Sequence, residues 1–466
     1  MRRLFISTRL PQEKCELGIL EIVSPRVVSS ELQLRTGVWH ADNSLSLPIP
    51  AHWEVTVFRP ATPPPLSDSQ IERALDQPAA QPPLRELCRQ RKTRKPLIIV
   101  DDPNRPTPAF RVLPSLLRQF QSAGIAREEV SILVATGTHG APRLETVLRK
   151  LGPEAASCPL FVHDSTRDLV DIGRTSRRTP VGVNRYVTES DFVVGVGGIY
   201  PNHQAGYGGG TKIALGALGL RTIAALHSFH KRLDWGTVPS HDPMRKDLDE
   251  IARLIGLASV VSLQIDGDGQ LIRMAAGDPT RYYAEEVAFA RQAFRAPAPS
   301  GADVVISNAY PNDLSVTFVH KKGIYPLRLC SPGASRIVIA ACSEGHGLHQ
   351  LFPYAIRPHF YRLRRAVRRA SLMSAPELAA KLAGKLRGAV HHRERADGGS
   401  TRDALHRMWL YRTVPDGSEL PTPLPDMRVT SDWDSIVRAV EAEQGGKIPL
   451  KVYVYPCAPL QVPTVD

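Results

Sequence analysis

The sequence predicts an α/β protein: two domains with mostly parallel sheets flanked by helices, and a site in the cleft between them. Three observations predict this. Short apolar runs alternate with helix-like patterns from about residue 95 onward, which is the signature of βαβ units. The apolar runs are near-continuous rather than alternating, as strands buried on both faces require. The length, 466 residues, exceeds what one hydrophobic core comfortably holds.

The elements follow in order. Residues 45–95 are Pro-rich, with a strand at 53–58 and a short helix after Ser67-Asp68. Strands are expected at 97–100, 130–135, 160–162, 192–196, 304–307 and 337–341, and helices at 113–120 and 144–151. The uncharged, glycine-rich stretch 192–211 contains Pro201, Asn202, His203 and Gln204, and past its opening strand it reads as a loop rather than a bilayer-spanning helix. The linker 296–301 (APAPSG) marks the boundary between a first domain, 1–297, and a second, 298–440. A last strand at 452–455 returns to one of the sheets. The segment 441–466 is expected to pack back on the first domain.

Composition narrows the functional classes. With 42% hydrophobic and 23% charged residues the chain is neither disordered nor fibrous. The six cysteines form no CxxC pair, which suits inert thiols in a reducing cytoplasm. No apolar segment follows the basic residues of MRRLFIS, so no secretory signal is expected. Of the net charge of +13, +9 comes from residues 357–395, where eleven Lys/Arg face two Glu. That segment lacks interleaved aromatics and reads as a solvated helical hairpin, so a nucleic-acid partner is not expected.

The unusual residues fall where apolar runs end. DDPNRP (101–106), ATGTHG (135–140), YPNHQAGYGGGTK (200–212) and NAYPND (308–313) each follow a strand. In open α/β sheets ligands bind beyond the carboxyl ends of strands. Gly208, Gly209 and Gly210 precede Thr211 and Lys212, a loop whose amides can curl around an anion beside a nucleophilic amine. The P-loop spacing fails, because Ile213 stands where a magnesium-binding hydroxyl belongs. Prolines at 103, 106 and 108 hold Asp102 and Arg105 on an extended loop, where a guanidinium suits a carboxylate or phosphate. His139, between flexible glycines, suits proton transfer. His227 suits nickel, with His230 three residues on. One histidine cannot hold a metal alone, so a metal there calls for a cofactor carrying its own donors.

Taken in order, these features resemble the lactate racemase family. They are a DxxRP loop (Asp102 to Pro106), ATGTH (135–139), an AGYxGGxK-like loop ending at Lys212, His227, and a YPxD (Tyr310 to Asp313) followed by Lys321. The resemblance implies a nickel cofactor, a pyridinium-based SCS pincer mononucleotide, attached covalently to Lys212 with His227 as the protein's nickel ligand. It implies Asp102 near the cofactor and Arg105 and Lys321 at the substrate. The implied activity is racemisation or epimerisation of a 2-hydroxy acid by reversible hydride transfer, with histidines moving the hydroxyl proton. Proteins that build the cofactor are implied partners.

The chain departs from the family pattern at two places. His139 matches the first proton-handling histidine, but Asn202 stands at the second, with His203 one residue later. Phe318 replaces a glutamine beside the substrate, which suggests a substrate larger or more apolar than lactate. Three readings stay open at this point. They are an isomerase in which His203 or another group replaces the second histidine, a hydride-transfer redox enzyme with a single base, and a nucleotide or nucleic-acid binder.

Overall fold

Runs such as Leu97-Ile98-Ile99-Val100 carry apolar side chains on both faces of a strand, so helices must cover both sides. The computed structural model shows this arrangement twice. It describes residues 30–464 except 41–42, 239–241, 352–407, 414–419, 421–423 and 425. The basic segment 357–395 therefore lies outside the described residues.

The first sheet has six strands, in the order Leu271–Gly277, Leu257–Ile265, Phe192–Gly198, Pro96–Asp101, Ser131–Ala135 and Leu160–Val162. All neighbours are parallel except the first pair, an antiparallel hairpin at one edge. Ile98 and Val100 face one core cluster, and Leu97 and Ile99 the opposite one. The second sheet is wholly parallel, in the order Met427–Thr430, Met408–Arg412, Ser335–Ala340, Val304–Asn308, Leu450–Tyr455 and Trp53–Val57. It too has a core on each face. Strand order reverses between Pro96–Asp101 and Phe192–Gly198 in one sheet, and between Val304–Asn308 and Leu450–Tyr455 in the other. Such switch points are where α/β sheets open a crevice.

The helix after Ser67 begins with a capping box, in which Ser67 and Gln70 satisfy each other's amides. Four expectations are corrected. The strand Leu450–Tyr455 lies in the second sheet, between Val304–Asn308 and Trp53–Val57, rather than on the first half. Trp53–Val57 belongs to that sheet as well, so strand membership does not follow a cut at residue 297. Periodicity identifies a strand but carries no information about which sheet edge accepts it. Residues 457–464 then reach back: Cys457 and Leu460 join a cluster with Ile199 and Tyr207, and Val462–Thr464 pairs with Arg295–Pro297. The supposed linker thus begins as a paired strand. Finally, seven residues of the uncharged stretch, Phe192–Gly198, form a fully buried inner strand of the first sheet, two residues beyond the expected end.

No helix among the described residues is long and apolar enough to cross a membrane. The five described cysteines are buried and unbridged.

Candidate active site

The first sheet's switch point opens on a cavity of ≈ 660 Å³, whose other wall comes from residues between 317 and 349. Asp102, Arg105, His139, Asn202, His203, Gly208, Gly209, Lys212, His227 and Lys321 all line it. Gly210 does not.

The 101–108 loop is held from beneath by Lys150. Its buried ammonium sits 2.8 Å from Asp101 Oδ1 and donates to the carbonyls of Arg105 (2.8 Å) and Thr107 (3.0 Å). Asp102 is thereby turned into the cavity, where its carboxylate is hydrogen-bonded to Nδ1 of His139. The side chains of His139 and Asp102 are 13% and 3% exposed. Burial alone would raise the Asp102 pKa, but His139, hydrogen-bonded to it, with Arg105 and Lys150, holds it below its ordinary value. Burial, Arg105 and Lys321 outweigh Asp102 at His139 and keep its pKa low. The resting pair is a carboxylate and a neutral imidazole.

Asp102 is therefore paired with His139 and not with Arg105. The Arg105 guanidinium lies 5.4 Å from the Phe318 ring centre, and the Lys321 ammonium 5.7 Å from it. Phe318 meets His139 edge-on at 4.7 Å. His349, which sequence reasoning missed, lies 5.0 Å from His139 between ring centres. It enters on a segment bonded to the 138–140 loop (Gly140 N to Leu348 O, 3.1 Å; Gln350 N to Thr138 O, 2.9 Å).

Lys212 lies on a 3₁₀ turn, Gly210–Ala217, and its Nζ donates to Gln204 O at 2.9 Å. Burial, reinforced by Arg245 and Arg105, drives its pKa well below the ordinary lysine range, as a nucleophilic amine needs. His227 sits in the last turn of helix Leu220–Phe229. Its Nδ1 lies 2.7 Å from Ile223 O, which assigns the proton to Nδ1 and the lone pair to Nε2. His230 lies just past the helix, in extended backbone, and pairs with Asp247 at 2.9 Å, so the two histidines do not share a helix face.

The glycine loop is corrected most. Its amides are largely spent within the protein: Gly208 N donates to Tyr200 O (2.8 Å) and Gly210 N to Ser262 Oγ (3.4 Å). Its carbonyls turn to Arg245, which reaches Gly209, Ala205 and Tyr207 at 3.0, 3.2 and 2.8 Å. A Cβ on Gly209 would stand 2.4 Å from Ile199, and one on Gly210 2.9 Å from Tyr283. The glycines thus serve close packing rather than an anion nest.

Asn202 is tied into the turn, its Oδ1 accepting from Gln204 N at 2.8 Å. His203 packs beside Trp235 at 5.0 Å and Tyr325 at 5.8 Å. Both its ring nitrogens are buried without a hydrogen-bond partner. Burial, then Arg232, Arg328 and Lys322, push its pKa down to about 3.

Among the described residues no three His, Cys, Asp or Glu side chains are grouped to hold a metal. A metal on His227 therefore needs donors from a bound group. The residues present suit such a group: an activated lysine, a histidine of fixed tautomer, and the buried, unsatisfied polar atoms of His203 and Gln204 share one cavity.

Comparison with known proteins points to one family. The lactate racemase N-terminal domain family matches residues 40–236. The lactate racemase of Lactiplantibacillus plantarum is 29% identical over 288 residues, covering 59% of this chain and 66% of that protein. The lactate racemase of Thermoanaerobacterium thermosaccharolyticum is 28% identical over 285 residues, with the same coverage. The chain thus spans just under two thirds of each relative's length. The structure of the lactate racemase apoprotein from T. thermosaccharolyticum matches with a TM-score of 0.66 at 20% identity, over 93% of this chain and 100% of that one, so the two share a fold. The chain is thus similar in sequence to two lactate racemases over 59% of its length, carries a match to their N-terminal domain at residues 40–236, and shares the fold of the apoprotein.

Proposed function

We propose that the protein is an isomerase that inverts the carbinol carbon of a 2-hydroxy acid other than lactate. In this reading it carries a nickel-bearing pyridinium mononucleotide on Lys212, with His227 as the protein's metal ligand. The observation that carries the reading is the His139–Asp102 pair, which opens onto the same cavity as Lys212 and His227. When bound, the cofactor supplies a reversible hydride acceptor.

The chain's own residues do the rest. Arg105 provides charge for the substrate carboxylate, and Lys321, whose pKa burial, Arg105 and Arg232 drive well below the lysine range, provides a hydrogen-bond donor beside it. Asp102 keeps the His139 proton on Nδ1, so Nε2 accepts the hydroxyl proton and returns it. Phe318 presents an apolar wall beside that base, which favours a substrate bulkier than lactate. Asn202 has no basic nitrogen, and His203 stays neutral beside three cations, so neither is a second base. One imidazole serves both proton transfers in this reading because the planar keto acid turns about its C–O axis between them, which exposes the other face of the carbon and leaves the oxygen at His139. The setting in this reading is the cytoplasm, and proteins that build the cofactor must load it.

A 2-hydroxy acid deuterated at C2 tests the reading. Deuterium retained in the inverted enantiomer is expected. Transfer of deuterium to a second acceptor, without inversion, would support the redox alternative instead.

A further inference from the structure

The glycine loop leaves an anionic group of a bound mononucleotide or substrate without its expected donors, since Gly208 N and Gly210 N are engaged internally and the carbonyls face Arg245. A different part of the cavity wall carries donors in excess. Residues Val319–Gly323 form a π-helical turn, an irregularity common at functional sites, and consecutive lysines 321 and 322 both line the cavity. They serve different neighbours. Lys321 lies by Phe318, whereas Lys322 holds its ammonium 6.0 Å from the Trp235 ring centre.

Lys322 is 5% exposed, and among the described residues no carboxylate is paired with it. Arg328 donates from Nη2 to His320 O at 3.0 Å, while its Nε is buried without a partner. Both nitrogens of His203 are likewise unsatisfied, and the cations acting on that ring are Arg232, Arg328 and Lys322. The carboxylates that act on these cations are Asp101 and Asp102 at Lys322 and Asp426 at Arg328, with Asp234 near Tyr325; the first three are paired with Lys150, His139 and His320. Burial, then Arg105 and Lys212, drive the Lys322 pKa well below the lysine range, the cost of a buried ammonium whose counter-charge a bound anion would supply. Lys322 and the half-buried Arg328, beside an unsatisfied imidazole, match a dianion better than a single carboxylate.

We propose that Lys322 and Arg328, with the ring of His203, form a binding subsite for a phosphate monoester beside Trp235. The proposal rests on reading this cavity as the ligand site. The phosphate has two sources, the mononucleotide or a phosphorylated 2-hydroxy acid. Lys322 and Arg328 supply charge-assisted hydrogen bonds to its oxygens, and His203 supplies one N–H.

Calorimetric titration of the full-length, metal-free protein separates these sources. The probes are nicotinic acid mononucleotide against its riboside, and 3-phosphoglycerate against glycerate. Phosphate on at least one pair is expected to tighten binding about tenfold or more, and that gain is expected to vanish in both Lys322→Met and Arg328→Met. Lys322→Arg should keep it. A gain on the nucleotide pair assigns the cofactor phosphate, and a gain on the glycerate pair assigns the substrate. Because Lys322→Met removes a buried charge, its melting temperature should not fall, which separates lost binding from lost fold. No gain on either pair, or a gain that survives both methionine variants, overturns the subsite. Neither nickel nor turnover enters the measurement, so failure of the isomerase reading would leave this result standing.

Discussion

The Asp102 carboxylate is hydrogen-bonded to Nδ1 of His139, and this buried contact fixes which imidazole nitrogen faces the cavity. Because Lys150 anchors the 101–108 loop below, the pair is set by the scaffold rather than by a ligand. Asp102→Asn keeps the shape but lets the amide favour the wrong tautomer. We expect kcat to fall about 10²- to 10⁴-fold, the usual span for a general base, with KM and melting temperature little changed. A rise in KM at constant kcat would show that Asp102 only binds ligand.

In the proposed function Phe318 sets substrate size. Phe318→Gln places a polar group beside Arg105 and His139, and should shift the ratio of kcat/KM for lactate against an aryl-substituted 2-hydroxy acid toward lactate. A change of about 10- to 200-fold is expected, the range that pocket-filling contacts supply. An unchanged ratio would place the specificity wall elsewhere.

Gly209 has φ +76° and no room for a Cβ against Ile199. Gly209→Ala should destabilise the protein by about 1–3 kcal/mol, read by urea unfolding. Wild-type stability in that variant would contradict the packing role given to the loop.

Acid sensitivity should begin with histidines. His163 is buried, its Nε2 lying 3.0 Å from Leu218 O and its Nδ1 3.1 Å from Asn184 Nδ2, and burial pushes its pKa down to about 4. Its neutral form is favoured by folding, so its contribution is present above the unfolded value near 6.5 and is lost as pH falls toward 4. The loss is about 3 kcal/mol from this group when complete, and His203 acts in the same direction. Unfolding free energies measured between pH 7 and 4.5 should decline, and His163→Gln should flatten that decline. An unchanged slope in His163→Gln would remove His163 as a cause.

Much of this was legible in sequence, for physical reasons. Strands such as Pro96–Asp101 and Val304–Asn308 are apolar on both faces, and apolar runs of that kind announce themselves. The hairpin of Leu257–Ile265 and Leu271–Gly277 went unmarked, and sheet membership of Trp53–Val57 and Leu450–Tyr455 was illegible because pairing depends on distant partners. At the site, Asp102, His139, Lys212 and His227 stood out by motif. Lys322, Arg328, Trp235 and His349 carry no motif. The adjacent lysines 321–322 were the one local hint, since only an irregular turn puts both on one cavity. The glycine loop misled because consecutive glycines look alike whether they approach an anion or an isoleucine.

The central claim is that Lys212 and His227 hold a nickel-bearing nucleotide. Intact-mass analysis with metal quantification, on protein from a host that makes the cofactor, tests it most directly. A mass adduct mapping to Lys212 with one nickel per chain is predicted, with the adduct absent in Lys212→Ala and nickel lost in His227→Ala. An unmodified chain mass without nickel, or an adduct and nickel that persist in Lys212→Ala, would contradict it.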